Sequence, residues 1–600
     1  MITQLLDNNL ATLRRIDPIL ADTVSHVPST REDITLERAR NGLMTVKKEG
    51  VLLHSTYDPG KEAAAWVSSA ATGTPRTICV LGCGLGYHLR ELADAGFRGA
   101  FIEPDPVLFR LTLEHQDLSA VLARFRPLVG IPVEKLRRTQ REPLAGETII
   151  HPASLRANPT YFSRVADYAR ALALVRRGGI KILLVNPLYG GSLPAARHSA
   201  AALGKMGHTV EVFTAEAFAE GYEFSGRFTL PAHRKTFNSA LVTLLGQGIE
   251  LKAIEFEPDL ILALAQAPLH HPTLGRLEQM NIPTAFWFVE DYRALPYWRD
   301  VAAGYGYFFG IQQGDFLAEV QRSGVNHYAY LPTAAAPDIH APVKLTTAEQ
   351  QEFGSPLSFV GAGYHNRERF FRGLTDYSLK IWGSEWPLTQ PLAPCIQRNA
   401  ARVDSETCVK IFNASTINLN LHSSTYHEGI DPDGDFVNPR TFEIACCGAF
   451  QLVDRRGLIP DLFADDELET FGGMEELRDK IDRYLTAPDA RRSMANRGRA
   501  RVLAEHTYEA RMEELLALMI LAYPRIAERR KARVQSRDQL REELETLPGI
   551  APLLSSLPAG SEVNLDALCD AVGREPRALS RAERILLMLN AIRTATGNEP

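Results

Sequence analysis

The sequence predicts an α/β fold of two consecutive doubly wound units, with a smaller α/β layer before them and a helical tail behind. Three observations carry that prediction. Short, β-branched apolar runs alternate with helical segments from Ile180 to Tyr330, the pattern of a parallel sheet wrapped by helices. The alternation resumes at Leu357-Ser358-Phe359-Val360. Between the two, Leu331-Pro332-Thr333-Ala334-Ala335-Ala336-Pro337 supplies two prolines and small residues, a composition suited to an interdomain hinge.

Taken in order, residues 1–75 read as mainly helical with polar faces. Residues 76–155 read as a Rossmann-like α/β domain: a strand Thr77 to Leu81, the loop Gly82-Cys83-Gly84-Leu85-Gly86, a helix from Tyr87, a strand ending at Glu103, and strands near Arg126 to Val129 and Glu147 to His151. A helix from Pro159 to Arg176, closed by Gly178-Gly179, fills 156–179. The first large unit spans 180–335, with strands at Ile180 to Val185, Thr209 to Thr214, Leu260 to Leu264, Thr284 to Val289, Tyr307 to Ile311 and His327 to Tyr330. The second spans 336–522, with strands near Leu357, Leu379 to Trp382, Ile417 to Leu421, Phe450 to Val453 and Glu469 to Phe471. The tail, 523–600, is charged from Arg525 to Arg541 and then leucine-rich, broken by Pro548, Pro552, Pro558 and Pro576. Its basic run Arg529-Arg530-Lys531-Ala532-Arg533 reads as a solvated helix face.

Composition narrows the function classes. Six hundred residues are too many for one core. A net charge of −6 gives no hint of nucleic-acid binding. No apolar run is long enough to span a bilayer and no signal-peptide pattern opens the chain, so a cytoplasmic protein is expected. The seven cysteines are odd in number and scattered through apolar runs, which suits free buried thiols. Cys79 and Cys83 lack a second ligand pair for zinc. The acidic run Asp431-Pro432-Asp433-Gly434-Asp435 lacks the downstream glutamate of a calcium loop and reads as a flexible acidic loop.

The segment Asn438 to Asp454 carries the most chemistry. Pro439 suits a first helical position and Gly448 a left-handed stop. A glutamate, Glu443, is placed in the first turn, with Arg440 beside the helix start. Free N–H groups, a dipole, an arginine and a carboxylate together suit a nucleotide diphosphate, the charge for phosphate and the carboxylate for ribose hydroxyls. Two doubly wound units joined by a hinge place such a site in a cleft at the carboxyl ends of the strands.

The residues resemble a known group. Pro187 to His208, with Gly190, Gly191 and Gly207-His208-Thr209-Val210, is similar to the opening of GT-B glycosyltransferases. Lys410 to Leu421, Asn438 to Asp454 and His506-Thr507-Tyr508-Glu509-Ala510-Arg511 resemble the CgeB-like (group 1) glycosyltransferase domain, and Trp287 to Arg293 an acidic loop of that group. The resemblance covers about residues 180 to 520. It implies a GT-B enzyme that moves a sugar from a nucleotide-sugar donor to a protein such as flagellin or to a surface-glycan acceptor, retaining and without a bound metal or required cofactor. The group's two acids have seven residues between them; here Glu443 takes the second place, as ribose ligand, and Asp435 replaces the usual glutamate in the first.

Other residues complete the expected site. Gly361 and Gly363 let backbone approach a phosphate. Asn366 shares their loop, Arg367 is a diphosphate clamp, and Lys410 is either a second clamp or a surface lysine. Asp291, Glu290 and His198 are the candidate catalytic groups: a general base for an inverting transfer, or groups that orient hydroxyls in a retaining one. For His198 the competing reading is a helix-face histidine packed among alanines.

In the N-terminal layer, Gly82, Gly84 and Gly86 followed by Glu103 fit an S-adenosylmethionine pocket. The stretch His54 to Ala63 with Leu81 to Ser119 also resembles motility-associated-factor proteins, linked with flagellin glycosylation, whose methyltransferase-like fold is without established methylation. A methyltransferase and a silent glycosylation scaffold are the alternative functions. The sugar, base, acceptor and oligomeric state stay open.

Overall fold

The computed structural model describes residues 2–74, 76–425, 427–533, 550–555, 557–558, 561–573 and 578–596. The chain divides into two units, Met1–Arg177 with Leu516–Leu521 (unit 1) and Gly178–Leu515 with Ala522–Pro600 (unit 2).

Unit 1 opens with helices Ile2–Ile16 and Pro18–His26, as expected, but residues 34–52 are not helical. They form an antiparallel sheet of β1 (Ile34–Arg38), β2 (Met44–Lys48) and β3 (Val51–Leu52). The missed signal is turn chemistry: Lys48 pairs with Val51 across Glu49 and Gly50, both at positive φ, the two-residue hairpin whose twist matches its strands. The second sheet is parallel: β4 (Thr77–Leu81), β5 (Arg98–Glu103), β6 (Phe125–Val129) and β7 (Glu147–Ile150), in the order β6-β5-β4-β7. Its strand order reverses between β4 and β7. The Pro159–Arg176 helix has the predicted bounds, with Asn158 capping it by accepting the Tyr161 N–H.

Unit 2 holds two all-parallel sheets. The first has β8 (Lys181–Val185), β9 (Thr209–Phe213), β10 (Leu260–Leu264), β11 (Thr284–Phe288), β12 (Tyr307–Gly310) and β13 (Tyr328–Tyr330), in the order β13-β12-β11-β10-β8-β9. The second has β14 (Ser355–Val360), β15 (Leu379–Trp382), β16 (Ser415–Asn420), β17 (Gln451–Asp454) and β18 (Glu469–Phe471), in the order β15-β14-β16-β17-β18. Strands β10 and β11 are buried along their whole length, which is why they read as unbroken apolar runs. The switch points, where ligands bind in such sheets, fall between β8 and β10 and between β14 and β16.

The connection at residues 331–337 is strapped rather than loose. Arg511 Nε donates to the Pro332 and Thr333 carbonyls at 2.8 and 3.2 Å, and Trp287 Nε1 donates to the Leu331 carbonyl at 3.0 Å. The tail's basic run is not the solvated face expected. Arg530 is buried, donates to the Gly178 carbonyl and pairs with Glu562 at 2.7 Å; Arg533 pairs with the fully buried Asp259; and Arg529 donates to the Pro258 carbonyl at 3.1 Å. The reason is local: Asp259 and the strand-start carbonyls need cationic partners once covered. Pro548 and Pro576 lie outside the described residues.

Candidate active site

At the second sheet's carboxyl edge, a buried polar network fixes the start of the Pro439–Cys446 helix. Asn438 caps it, accepting the Thr441 N–H at 3.1 Å. Its own N–H donates to His422 Nε2 at 2.9 Å, and His422 Nδ1 bonds Asp454 at 2.6 Å. Those contacts require the neutral tautomer with its proton on Nδ1. Burial disfavours charge on both partners; it holds His422 below its ordinary pKa, whereas His422 and Arg456 keep Asp454 ionised, below its own. Asn420 joins by donating to Thr441 Oγ1 at 3.0 Å. The helix thus starts from a fixed point, and Gly448 ends it at φ +66°. Glu443 is the fifth helical residue, one turn in, rather than in the first turn.

Glu443 is buried and pairs with Arg440, while His340 Nε2 stands 3.9 Å from its other oxygen. Burial opposes its ionisation, but Arg440, His340 and His198 outweigh that and hold its pKa below the usual range. His198, on the Leu193–Lys205 helix of the first sheet, packs edge-on to His340 with ring centroids 5.4 Å apart and touches Tyr508 at 5.2 Å. Burial and His340 push His198 down to about 4, and its buried Nε2 has no hydrogen-bond partner. The structure therefore gathers Arg440, Glu443, His340 and His198 from both sheets of unit 2. His340 carried no signal beyond following the hinge.

A second group forms where β8, β11 and β12 end. Gly190 stands at φ +98°, where a side chain would collide with Gln266 Oε1, so only glycine fits. Gly191 faces open space except for Glu290 Oε1. Glu290 accepts the Ser192 hydroxyl at 2.6 Å, and Asp291 accepts the Arg293 N–H at 3.0 Å. Burial raises the pKa of both acids; Asp291 adds to the rise at Glu290, and Asp435 to that at Asp291. Gln312 links the sheets, accepting the Tyr292 N–H at 3.0 Å and donating to Asp435 at 2.7 Å. Asp435 is thus brought to Asp291 rather than to Glu443. Gln312 and His422 share one signal: a polar residue one or two places beyond the end of a parallel strand.

The remaining expected residues brace the fold. Asn366 donates to the His422 and Gly429 carbonyls at 2.8 and 3.0 Å and accepts the Ser424 N–H. Arg367 Nε and Nη1 donate to the Leu421 and Ala362 carbonyls at 2.9 and 3.1 Å, and burial lowers its pKa to about 10. Gly361 and Gly363 pack tightly, Gly363 against the Glu385 carbonyl. Lys410 is half-buried and pairs with Glu349 at 3.0 Å, apart from these groups.

In unit 1 the glycine loop is filled by protein. A side chain at Gly82 would strike Ser154, one at Gly84 would strike the His54 ring, and one at Gly86 would press on Leu118 and Thr112. Glu103 is buried and accepts the Cys83 and Asp105 N–H groups at 3.1 and 3.2 Å. Asp105 beside it pairs with Lys48 and Arg31, both at 2.5 Å.

A family described as glycosyl transferase-like matches residues 367–517. Spore protein CgeB of Bacillus subtilis (strain 168) is 23% identical over 315 residues, covering 50% of this chain and 94% of that protein. Among solved structures, a sucrose-phosphate synthase from Thermosynechococcus elongatus covers 58% of this chain and 98% of its own at 14% identity, with a TM-score of 0.39. Anabaena HepE in complex with UDP-glucose covers 57% and 99% at 12% identity, with a TM-score of 0.38. The chain is an enzyme, a glycosyltransferase. No helix among the described residues is long and apolar enough to cross a membrane.

Proposed function

We propose that this glycosyltransferase takes its sugar from a nucleotide-sugar donor bound at the second sheet of unit 2, and passes it to a protein acceptor, flagellin among them, or to a surface glycan. The observation that carries the reading is the Arg440–Glu443 pair, set one turn into a helix whose start is pinned by Asn438, His422 and Asp454. Glu443 keeps acceptor capacity for ribose hydroxyls beyond its pairing with Arg440. Arg440 and the helix N–H groups oppose charge on the departing diphosphate oxygen.

The transfer retains configuration and uses no protein base. The leaving diphosphate oxygen takes the acceptor proton as the new glycosidic bond forms on the same face. Glu290 and Asp291, whose carboxyl groups resist ionisation, hold hydroxyls of sugar and acceptor in register. His198, neutral and with an unpaired Nε2, offers one further hydrogen bond. Unit 1 acts as an accessory of the nucleotide-type fold; a methyltransferase reading is weakened by a loop that its own side chains fill.

The test is a turnover assay with a panel of nucleotide sugars, following release of nucleotide diphosphate. One donor is expected to react, and Glu443→Gln to slow it about 100-fold, close to 3 kcal/mol. Absence of release from every donor, or an unaffected variant, overturns the proposal.

A further inference from the structure

Unit 1 brings three histidines to one point. His54 follows β3, His88 lies on the Tyr87–Asp94 helix, and His151 directly follows β7. All three are buried, and one ligand atom from each lies within 4.8 Å of the other two. The point is the switch between β4 and β7, directly over the glycine loop: Leu85 N–H donates to His54 Nε2 at 2.7 Å, and His88 Nε2 bonds the Gly82 carbonyl at 2.9 Å. It is the place where a parallel sheet presents a ligand.

At His88 and His151 the hydrogen bonds are those that prepare imidazoles for a metal, with one ring nitrogen anchored and the other left over. The Gly82 carbonyl fixes the His88 proton on Nε2. His88 Nδ1 then carries a lone pair that, in a residue 1% exposed, has no hydrogen-bond partner. An orphan of that kind costs about 1–3 kcal/mol in a plain core. His151 Nδ1 is anchored on Ser154 Oγ at 2.8 Å, which leaves Nε2. His54 Nε2 holds the Leu85 N–H, and an ion competes with that N–H for the same lone pair. Trp66 stands edge-on to His88 and His151, and Tyr87 to His54, while His88 and His151 stack on one another with ring centroids 4.2 Å apart.

We propose that His54, His88 and His151 bind one divalent transition-metal ion of the zinc class, at the carboxyl end of the parallel sheet of unit 1. Nitrogen ligands on a tetrahedral zinc stand about 3.4 Å apart, so inward movement by about an ångström closes the set once one of the stacked rings, His88 or His151, turns to bring both lone pairs onto the ion. This site is independent of the donor site in unit 2.

The test uses the full chain, stripped with a chelator, dialysed into metal-free buffer and titrated with Zn2+ and, separately, with Co2+. About one equivalent is expected to bind, with the visible absorption of tetrahedral cobalt on nitrogen ligands. His88→Gln should bind at least tenfold more weakly, and His208→Gln, another buried histidine, as the wild type does. Less than about one-tenth equivalent with no cobalt band overturns the site, as do His88→Gln and His151→Asn proteins that fold and keep full affinity. If neither variant folds, the wild-type cobalt spectrum decides alone.

Discussion

Each unit ends a parallel strand, beside a switch point, in a loop that glycine makes possible, and the two loops are filled to different extents. In unit 1, Ser154, His54, Thr112 and Leu118 occupy the space beside Gly82, Gly84 and Gly86, and Glu103 is spent on backbone N–H groups. In unit 2, Gln266 fills the space beside Gly190, but Gly191 has only Glu290 within reach, and His198 Nε2 and Gln266 Oε1 are buried without partners. Glycine spacing records that something approaches the backbone closely. Whether a ligand or the protein's own side chain does so is decided by residues far away in sequence.

The comparison breaks first at Glu443. Glu443→Gln is expected to lower donor turnover about 100-fold while the melting of unit 1 stays unchanged, as scanning calorimetry can follow. Next comes Gly84→Ala, which puts a methyl 2.4 Å from the His54 ring at a φ of +49°. It should destabilise unit 1 by about 2–3 kcal/mol in urea unfolding and leave nucleotide binding intact. Its counterpart, Gly191→Ala, meets no atom closer than 3.9 Å. Stability should hold to within about 0.5 kcal/mol, and turnover should fall about tenfold as the cleft narrows.

Glu290→Gln sharpens the contrast through pH. Burial raises the folded pKa of Glu290, so its favourable contribution is complete below the ordinary glutamate range and is lost as pH rises through the folded value. The variant should therefore be more stable than wild type by about 1 kcal/mol at pH 8, the gap closing towards pH 4, while its turnover falls; equal stability at both pH values contradicts the assignment. The smallest effect belongs to Lys410→Ala. A surface lysine paired with Glu349 should change neither melting temperature nor turnover.

Much of this was legible in the sequence. Every strand of the three parallel sheets was anticipated to within a few residues, because most are short apolar or β-branched runs between turn residues. The Pro439–Cys446 helix was legible from Pro439 and Gly448. The hairpins at residues 34–52 were missed because their signal lies in the Asn41-Gly42 and Glu49-Gly50 turns, not in hydrophobic period. At the site, the sequence named Glu443, Arg440, Asp291 and Glu290 but not His340, Gln312 or the His422–Asp454 pair, whose partners are brought together only by the fold. Arg367 and Asn366 look like ligand-binding residues in sequence and are committed to backbone groups in the structure.

The central claim is that the donor is gripped in unit 2 through Glu443, not in the glycine loop of unit 1. Calorimetric titration of the full chain with the five common nucleoside diphosphates and with S-adenosylmethionine tests it directly. One diphosphate should bind with a stoichiometry near one, and at least tenfold more weakly to Glu443→Gln, whereas S-adenosylmethionine should give no heat of binding. Saturable S-adenosylmethionine binding lost on Glu103→Ala, or diphosphate affinity equal in wild type and Glu443→Gln, would contradict it.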